Sequence, residues 1–377
     1  MGAPIKRLPE IDVVRGLALF GICVVNVPFM AMPMVEAFTP PEALGDQVAA
    51  FVLEMFFQGK FFVLFSFLFG WGFAMQLASA ERRGIDFRPS YRKRLLGLLV
   101  IGTAHALLVF FGDILVLYAV LGLALPWVRN WRPRALLRLA AGLVGLAFLA
   151  LGILAIGIEE LGLGEESGLQ YAAGYEGGWW DSVRQRAADW PGSLAFIVFF
   201  NGPMALACFS TGLAAAKSGF FERGSTAYAT VKRRFGWILG AGLILNLLYT
   251  LTLGNYLTNP WVQLLGFMGL AVGGPCLATV YLLGAIECAR RGWFQRTTAA
   301  AGRMSLTAYI GEGILAGLIF SGYGLGWYGQ RSLIEICGIA VVIYLITHFF
   351  CALWLRRFAM GPFERLLRFI SFSRQHG

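Results

Sequence analysis

Leu333-Ile-Glu-Ile-Cys-Gly-Ile-Ala-Val-Val-Ile-Tyr-Leu-Ile-Thr-His-Phe-Phe-Cys-Ala-Leu-Trp-Leu355 carries one charged side chain, Glu335 near its start, and stops at the pair Arg356-Arg357. At 1.5 Å per residue, about 20 apolar residues in a helix cross the ~30 Å hydrocarbon core of a bilayer. A basic pair directly after such a run marks its cytoplasmic end. Working outward, runs of the same kind lie near 12–34, 51–78, 95–111, 113–128, 136–158, 191–216, 235–254, 261–289 and 305–321. The whole chain agrees with them: of 377 residues, 58% are hydrophobic and 14% charged, and the mean hydropathy is +0.68. A soluble domain carries about 25% charged residues, so a single water-soluble core is excluded. The expected fold is all-α, one polytopic membrane domain over 1–377 with about ten transmembrane helices.

The net charge of +10 has a topological cause. All but four of the 31 Lys and Arg fall in six regions in alternate gaps: Lys6 to Arg15, Arg82 to Arg94, Arg129 to Arg138, Lys217 to Arg234, Arg290 to Arg303 and Arg356 to Arg374. The exceptions are Lys60, Arg184, Arg186 and Arg331, and the remaining gaps hold most of the acids. The positive-inside rule then puts both termini in the cytoplasm, which demands an even number of spans, and ten satisfies it. Basic residues scattered over six short loops form no nucleic-acid-binding module. Lys6 and Arg7 before a hydrophobic stretch imitate a signal peptide, but that stretch is long, contains Asp12, Arg15 and Asn26, and lacks a convincing cleavage site, so it reads as a retained helix. The expected location is a cytoplasmic membrane, multi-pass.

Other classes lack their signatures. The six cysteines stand singly, and the three histidines are far apart with no H-x-x-x-H, so neither a disulfide framework nor a metal site is expected. There is no P-loop, no G-x-S-x-G elbow and no H-E-x-x-H. Two segments outside the spans stand out. The outer loop 159–190, with Trp179, Trp180 and Trp190, reads either as an interfacial aromatic belt or as a lid over an outward cavity. The cytoplasmic tail 356–377 is basic and amphipathic, with Phe363, Leu366, Leu367 and Ile370 on one face, and is expected to lie on the inner leaflet.

An ionisable side chain in mid-membrane costs about 2.5–3.5 kcal/mol on insertion scales, so each needs a partner or a task. Asp12 and Arg15 share a face at the inner mouth of the first span, with Asn26 about three turns further out. Glu54 and Lys60 fall within two turns of each other and read as a buried pair. His105 lies about two thirds of the way along the third span, and Asp113, eight residues later, sits at the tip of a tight hairpin expected at the outer surface. A carboxylate that reaches the imidazole would orient it as a general base. Arg303 marks the inner mouth of the ninth span, followed by Ser305, Thr307, Tyr309 and Glu312. The pattern is polarised: a basic mouth toward the cytosol and a proton-handling cluster deeper in suit an anionic cytosolic donor.

These residues carry a resemblance. Leu8-Pro-Glu-Ile-Asp12-Val-Val-Arg15-Gly16 through Asn26, Lys60-Phe-Phe-Val-Leu-Phe-Ser66-Phe-Leu-Phe-Gly70, His105 through Gly112-Asp113-Ile114-Leu115 with Tyr118, Gly302-Arg303-Met-Ser305-Leu-Thr307-Ala-Tyr309, and Gly361-Pro362-Phe363-Glu364 occur in that order over nearly the whole chain. Together they resemble the landmarks of the YeiB-like family of bacterial inner-membrane proteins, a domain of unknown function. That family is similar to a wider superfamily of membrane acyltransferases, including acyltransferase family 3 and the heparan-alpha-glucosaminide N-acetyltransferases. The resemblance implies transfer of an acyl group, acetyl among the candidates, from cytosolic acyl-CoA as co-substrate to an acceptor at or beyond the bilayer, with no bound cofactor. Better characterised relatives use a histidine near the first hairpin; the outer loop 35–50 here has none, so His105 takes that role. On this reading His105 is the base, Asp113 orients it, and Asn26 or Lys60 stabilises the oxyanion. Arg15 and Arg303, with Asp12 and Ser305 beside them, hold the donor. No motif names the acceptor or an oligomeric state. The same polar residues also fit a transporter or flippase for a small anionic or lipid-linked metabolite, or a scaffold whose polar residues join helices.

Overall fold

The computed structural model describes residues 8–34, 36, 39–161, 173–294 and 297–372, and its elements are helices, with no strand among the described residues. In chain order they are α1 (Pro9–Ala31), α2 (Leu44–Phe56), α3 (Phe61–Arg82), α4 (Phe87–Leu108), α5 (Leu115–Gly122), α6 (Leu125–Val128), α7 (Pro133–Leu161), α8 (Trp179–Phe196), α9 (Gly202–Lys217), α10 (Thr226–Arg233), α11 (Phe235–Leu253), α12 (Pro260–Arg290), α13 (Thr298–Arg303), α14 (Ser305–Phe320), α15 (Leu333–Arg357) and α16 (Pro362–Phe372). A π-helical turn, Ile197–Asn201, joins α8 to α9.

Local sequence sets the helix ends. Pro9 and Pro260 occupy first-turn positions, where a missing N–H removes nothing from the ladder. The Asn259 side chain accepts from Trp261 N and Val262 N at 3.0 and 3.3 Å. Ser332 and Glu335 form a reciprocal capping box at the start of α15, and Arg356 and Arg357 close its last turn, where cations favour the helix dipole.

Seven helical units are long and apolar enough to cross a membrane: α1, α2–α3, α7, α8–α9, α11, α12 and α15. This is the pattern of a multi-pass membrane protein. Three of the ten expected spans are shorter or more polar. Helix α4 starts inside the basic loop with Arg88, Arg92, Lys93 and Arg94, α5 and α6 are short, and α14 has 16 residues. Helix α4 packs on α5, α8 and α16, and α14 on α1 and α15, while α4 and α5 still expose Leu96, Val100 and Val120. The long α7 and α11 lie at the periphery and expose Leu149, Ile153, Trp237 and Ile244, as lipid-facing helices do. Helix α1 runs through the middle, packed on α3, α12, α13, α14 and α15.

Two expected elements take another form. The run 51–78 is broken: α2 ends at Phe56, the chain turns through Phe57–Lys60 with Gly59 at φ +78°, and α3 resumes at Phe61. A left-handed glycine ends a helix at low steric cost, whereas hydropathy alone sees a continuous run. In the expected outer loop 159–190, residues 162–172 lie outside the described ones, but 179–190 form the first three turns of the long α8–α9 unit, started where Gly178 N donates to Asp181 Oδ2 at 3.0 Å. Its polar residues hid the helix because two of them, Ser182 and Arg186, are buried against the rest of the bundle.

The tail helix α16 is docked. Glu364 caps α14 from a distance: its Oε1 accepts from Leu306 N and Thr307 N at 2.8 and 3.2 Å, and its Oε2 from Thr307 Oγ1 at 2.6 Å. Leu367 is buried beside Gly97 of α4, while Arg365, Leu366 and Phe369 stay exposed, a face suited to a lipid surface. Arg374 lies outside the described residues. Glu364→Ala removes three acceptor contacts and is expected to cost about 1–2 kcal/mol, with Glu364→Gln costing less because one oxygen remains. Melting of the detergent-solubilised protein followed by intrinsic fluorescence checks this, and equal Tm values for all three proteins would refute the cap.

Candidate functional site

Helix α4 ends at a histidine that still serves the helix: Val109 N and Phe110 N both donate to His105 O, at 2.8 and 2.9 Å. The chain then doubles back through Gly112, and Asp113 starts α5. Its Oδ2 accepts from Leu115 N at 2.7 Å and Val116 N at 3.1 Å, so the carboxylate caps a helix N-terminus. Its other oxygen meets His105 Nδ1 at 2.9 Å and accepts from Tyr309 OH at 3.4 Å. Gly102, one turn before His105, makes room for this return, since a Cβ there would sit 2.9 Å from Asp113 Oδ2. The hairpin tip expected at the outer surface is therefore interior: Asp113 is fully buried, and just before the turn Leu108 O is bonded by Arg186 of α8, which also bonds Ser321 after α14.

With Asp113 occupied as an acceptor from two backbone N–H groups, the network assigns the shared proton to His105 Nδ1. The lone pair of Nε2 then points the other way. Nε2 is buried without a hydrogen-bond partner among the described residues, and faces Gly313 of α14, where a Cβ would stand 3.0 Å from it. It opens on a crevice lined among others by Asn26 and Val27 of α1, Phe110, and Tyr309 and Glu312 of α14. The crevice is narrow, about wide enough for one water molecule. Glu312 is equally buried: its Oε1 accepts from Thr347 Oγ1 at 3.4 Å, and its Oε2 has no partner among the described residues.

The candidate residues fall into three places. His105, Asp113 and Asn26 come together at the crevice. Lys60 does not line it: the side chain is fully buried elsewhere, Nζ donating to the main-chain oxygen of Glu54 at 2.6 Å and lying 6.0 Å from the centre of the Tyr249 ring. The expected Glu54–Lys60 side-chain ion pair is thus replaced by a bond to the carbonyl that the helix break leaves available. Arg15 and Asp12 pair loosely at 3.9 Å near the N-terminal end of α1. That end crosses α13 so closely that a Cβ on Gly302 would overlap the Asp12 carbonyl oxygen, which brings exposed Arg303 to the same end of the bundle. Half-buried Ser305 begins α14, the helix that leads from Arg303 to the crevice.

Tyr309 and Glu312 complete the site without having been given roles, although Tyr309 lies four residues from Ser305 and Glu312 three further on, which puts all three on one helix face. Arg186 was also passed over, and lies buried above the hairpin tip, donating to Leu108 O at 3.1 Å. Nearby, burial and the Asp189 carboxylate, whose Oδ2 accepts from it at 2.6 Å, push the Tyr175 phenol well above its usual range and keep it a donor. His348 hydrogen-bonds Tyr344 O within its own helix and stacks on that residue's ring.

The profile of a protein family of unknown function, DUF418, matches residues 215–374. The uncharacterized protein YxaH of Bacillus subtilis is 31% identical over 96% of this chain and 94% of its own length. The uncharacterized protein YeiB of Escherichia coli is 28% identical over 96% of both. An uncharacterized 39.9 kDa protein encoded beside an amylase in Bacillus acidopullulyticus is 26% identical over 98% of this chain. No solved structure matches the chain.

Proposed function

The chain belongs to the YeiB-like family, DUF418, and for it we propose acyl transfer: movement of an acyl group from cytosolic acyl-CoA to an acceptor at or beyond a bacterial cytoplasmic membrane. The observation that carries the reading is the buried His105–Asp113 pair at 2.9 Å, with the unpartnered Nε2 opening on a crevice. A base held in one tautomer by a carboxylate, with its reactive nitrogen free and water largely excluded, is the arrangement that general-base acyl transfer requires.

The steps follow from these atoms. His105 Nε2 takes the proton of an acceptor O–H or N–H as that oxygen or nitrogen attacks the thioester carbonyl carbon. Asp113 stabilises the imidazolium so formed. The Asn26 amide donates to the oxyanion; Lys60, away from the crevice, is left out of this role. The C–S bond then breaks, and the thiolate of CoA leaves with the proton from His105. Glu312 Oε2 offers an acceptor that holds the attacking group in place. Arg15, set by Asp12, and Arg303, beside Ser305, bind donor phosphates at the basic end. Arg15 is eleven residues from Asn26 along α1, about 16 Å, and Ser305 beside Arg303 is seven from Glu312 along α14, about 10 Å, a gap for an extended pantetheine arm.

The topology in this reading has both termini in the cytoplasm and ten crossings, the seven long units plus α4, α5–α6 and α14. Thermal shift of purified protein with acetyl-CoA and longer acyl-CoAs is the first test. At 100 times Kd a ligand stabilises the folded state by about 2.7 kcal/mol, and Arg303→Ala is expected to lose most of that at the same concentration. No stabilisation of the wild type by any acyl-CoA at saturation would sink the proposal. It would favour the second reading, a transporter for a small anionic or lipid-linked metabolite. That reading has one observation of its own: the α2–α3 break, which leaves Lys60 buried beside an open helix end, as broken spans do at transport sites.

A further inference from the structure

Above the crevice, and sharing Met30 and Phe110 with it, lies a second cavity lined among others by Tyr175, Arg186, Ser321 and Tyr328. Arg186 is 2% exposed. Its Nη1 donates to Leu108 O at 3.1 Å, and its Nη2 to Ser321 Oγ and Tyr323 OH, both at 3.3 Å. The guanidinium lies 5.8 and 5.7 Å from the centres of the Tyr175 and Tyr323 rings. All of these partners are neutral. No carboxylate among the described residues comes within 4 Å of it. Asp189, one turn along the same helix, is engaged by Tyr175 OH at 2.6 Å and Gln185 Nε2 at 2.9 Å.

A buried arginine without a counter-ion is costly, and an anion would remove that cost. Three of its five N–H groups, both on Nη2 among them, are used by the described residues, which leaves one on Nε and one on Nη1, each able to give a single charge-assisted hydrogen bond to a carboxylate or phosphate. Leu108, whose carbonyl Arg186 grips, is three residues beyond His105, about 4.5 Å further along the same helix. The two cavities thus meet at the end of one helix, with Met30 and Phe110 in the wall they share.

We infer that Arg186 holds the anionic group of the acyl acceptor, a small hydroxyl or amino compound with a carboxylate or phosphate within a few bonds of the group that is acylated. This assignment of the acceptor's class rests on the acyl-transfer reading; anion binding at Arg186 does not. A phosphate there belongs either to a lipid headgroup or to a soluble metabolite, and the test separates the two.

The full-length protein is melted in phosphatidylcholine nanodiscs with glycerate, glycerol 3-phosphate or glycerol, and in nanodiscs that contain phosphatidylglycerol. The expected result is stabilisation by at least one of the anions and none by glycerol. In Arg186→Gln the apparent affinity for that anion falls at least tenfold. Arg186→Lys, which keeps the charge but not the spread of guanidinium donors, falls between, and supplies the comparison if the Gln variant does not fold. A response to phosphatidylglycerol alone assigns a lipid headgroup, and a response to the soluble compounds alone assigns a free metabolite; either supports the site. Anions that stabilise no form, or that stabilise wild type and both variants equally, overturn it and leave Arg186 a clamp between α8 and the hairpin. Anion binding through Arg186 without any acyl-CoA binding would instead overturn acyl transfer and leave the anion site standing.

Discussion

Replacing His105 by Gln is expected to lower the rate of acyl transfer by about 10²–10⁴-fold, the usual contribution of a positioned general base. The variant keeps a side-chain N–H that can donate to Asp113 Oδ1, so the hairpin retains its interior bond and the melting temperature should change little. The loss should appear in kcat, with KM for acyl-CoA unchanged, because the residues proposed to hold the donor, Arg15 and Arg303, lie away from the crevice at the other end of the bundle. Arg303→Ala should show the opposite split, a raised KM at nearly constant kcat. Release of CoA thiol from acetyl-CoA in the presence of membrane extract, followed with a thiol reagent, reads both. If His105→Gln keeps more than a tenth of wild-type turnover, the imidazole is not the base, and the buried pair reverts to a structural link between α4 and α5.

Hydropathy made the long helices legible, because a span must carry about 20 apolar residues whatever surrounds it. It says less about α4, α5 and α14, since α4 starts inside a basic loop, and α5 and α14, of 8 and 16 residues, are shorter than a full crossing. The pairing of His105 with Asp113 was legible in outline, since eight residues around a tight hairpin return the chain to the same place. The depth of the hairpin was not: Gly112-Asp113 looks like a surface turn unless one knows that Arg186, from the other side of a long loop, grips Leu108. Arg186 itself was hidden by its company, for a helix start rich in Asp, Gln and Arg reads as solvated when only one of its faces is buried. Lys60 was misplaced for a related reason. Depth along a helix does not give the direction around it, and the Gly59 turn aims Lys60 toward Tyr249 on α11. Glu364, by contrast, was recognisable as a landmark, and the structure supplies the physical reason: α14 has no cap of its own, and the tail provides one.

The substitution with the largest expected effect on stability is Gly302→Leu. Helices α1 and α13 meet backbone to backbone: a Cβ on Gly302 would overlap Asp12 O and stand 3.0 Å from Gly16 N, and a Cβ on Gly16 would overlap Thr298 O. In a bilayer, where apolar burial between helices gains little over contact with lipid tails, such close approach is what holds helices together. Main-chain atoms inside two helices cannot turn aside as a flexible side chain can, so Leu at this position must separate α1 from α13. The cost should reach at least about 3 kcal/mol, at the upper end for overpacking, and it falls on the helix at the centre of the bundle. Size-exclusion chromatography in detergent should show the folded peak lost or strongly reduced. Gly142→Ala is the control that separates packing from the mere removal of a glycine. Nothing lies within 4 Å of a Cβ at Gly142 in α7, and exchange of a helix-interior glycine for alanine should leave the peak intact and raise stability by up to about 1 kcal/mol. Gly302→Leu protein that accumulates and melts like the wild type would mean that α1 and α13 do not make this crossing. The arrangement that brings Arg15 and Arg303 to one donor site would then fall with it.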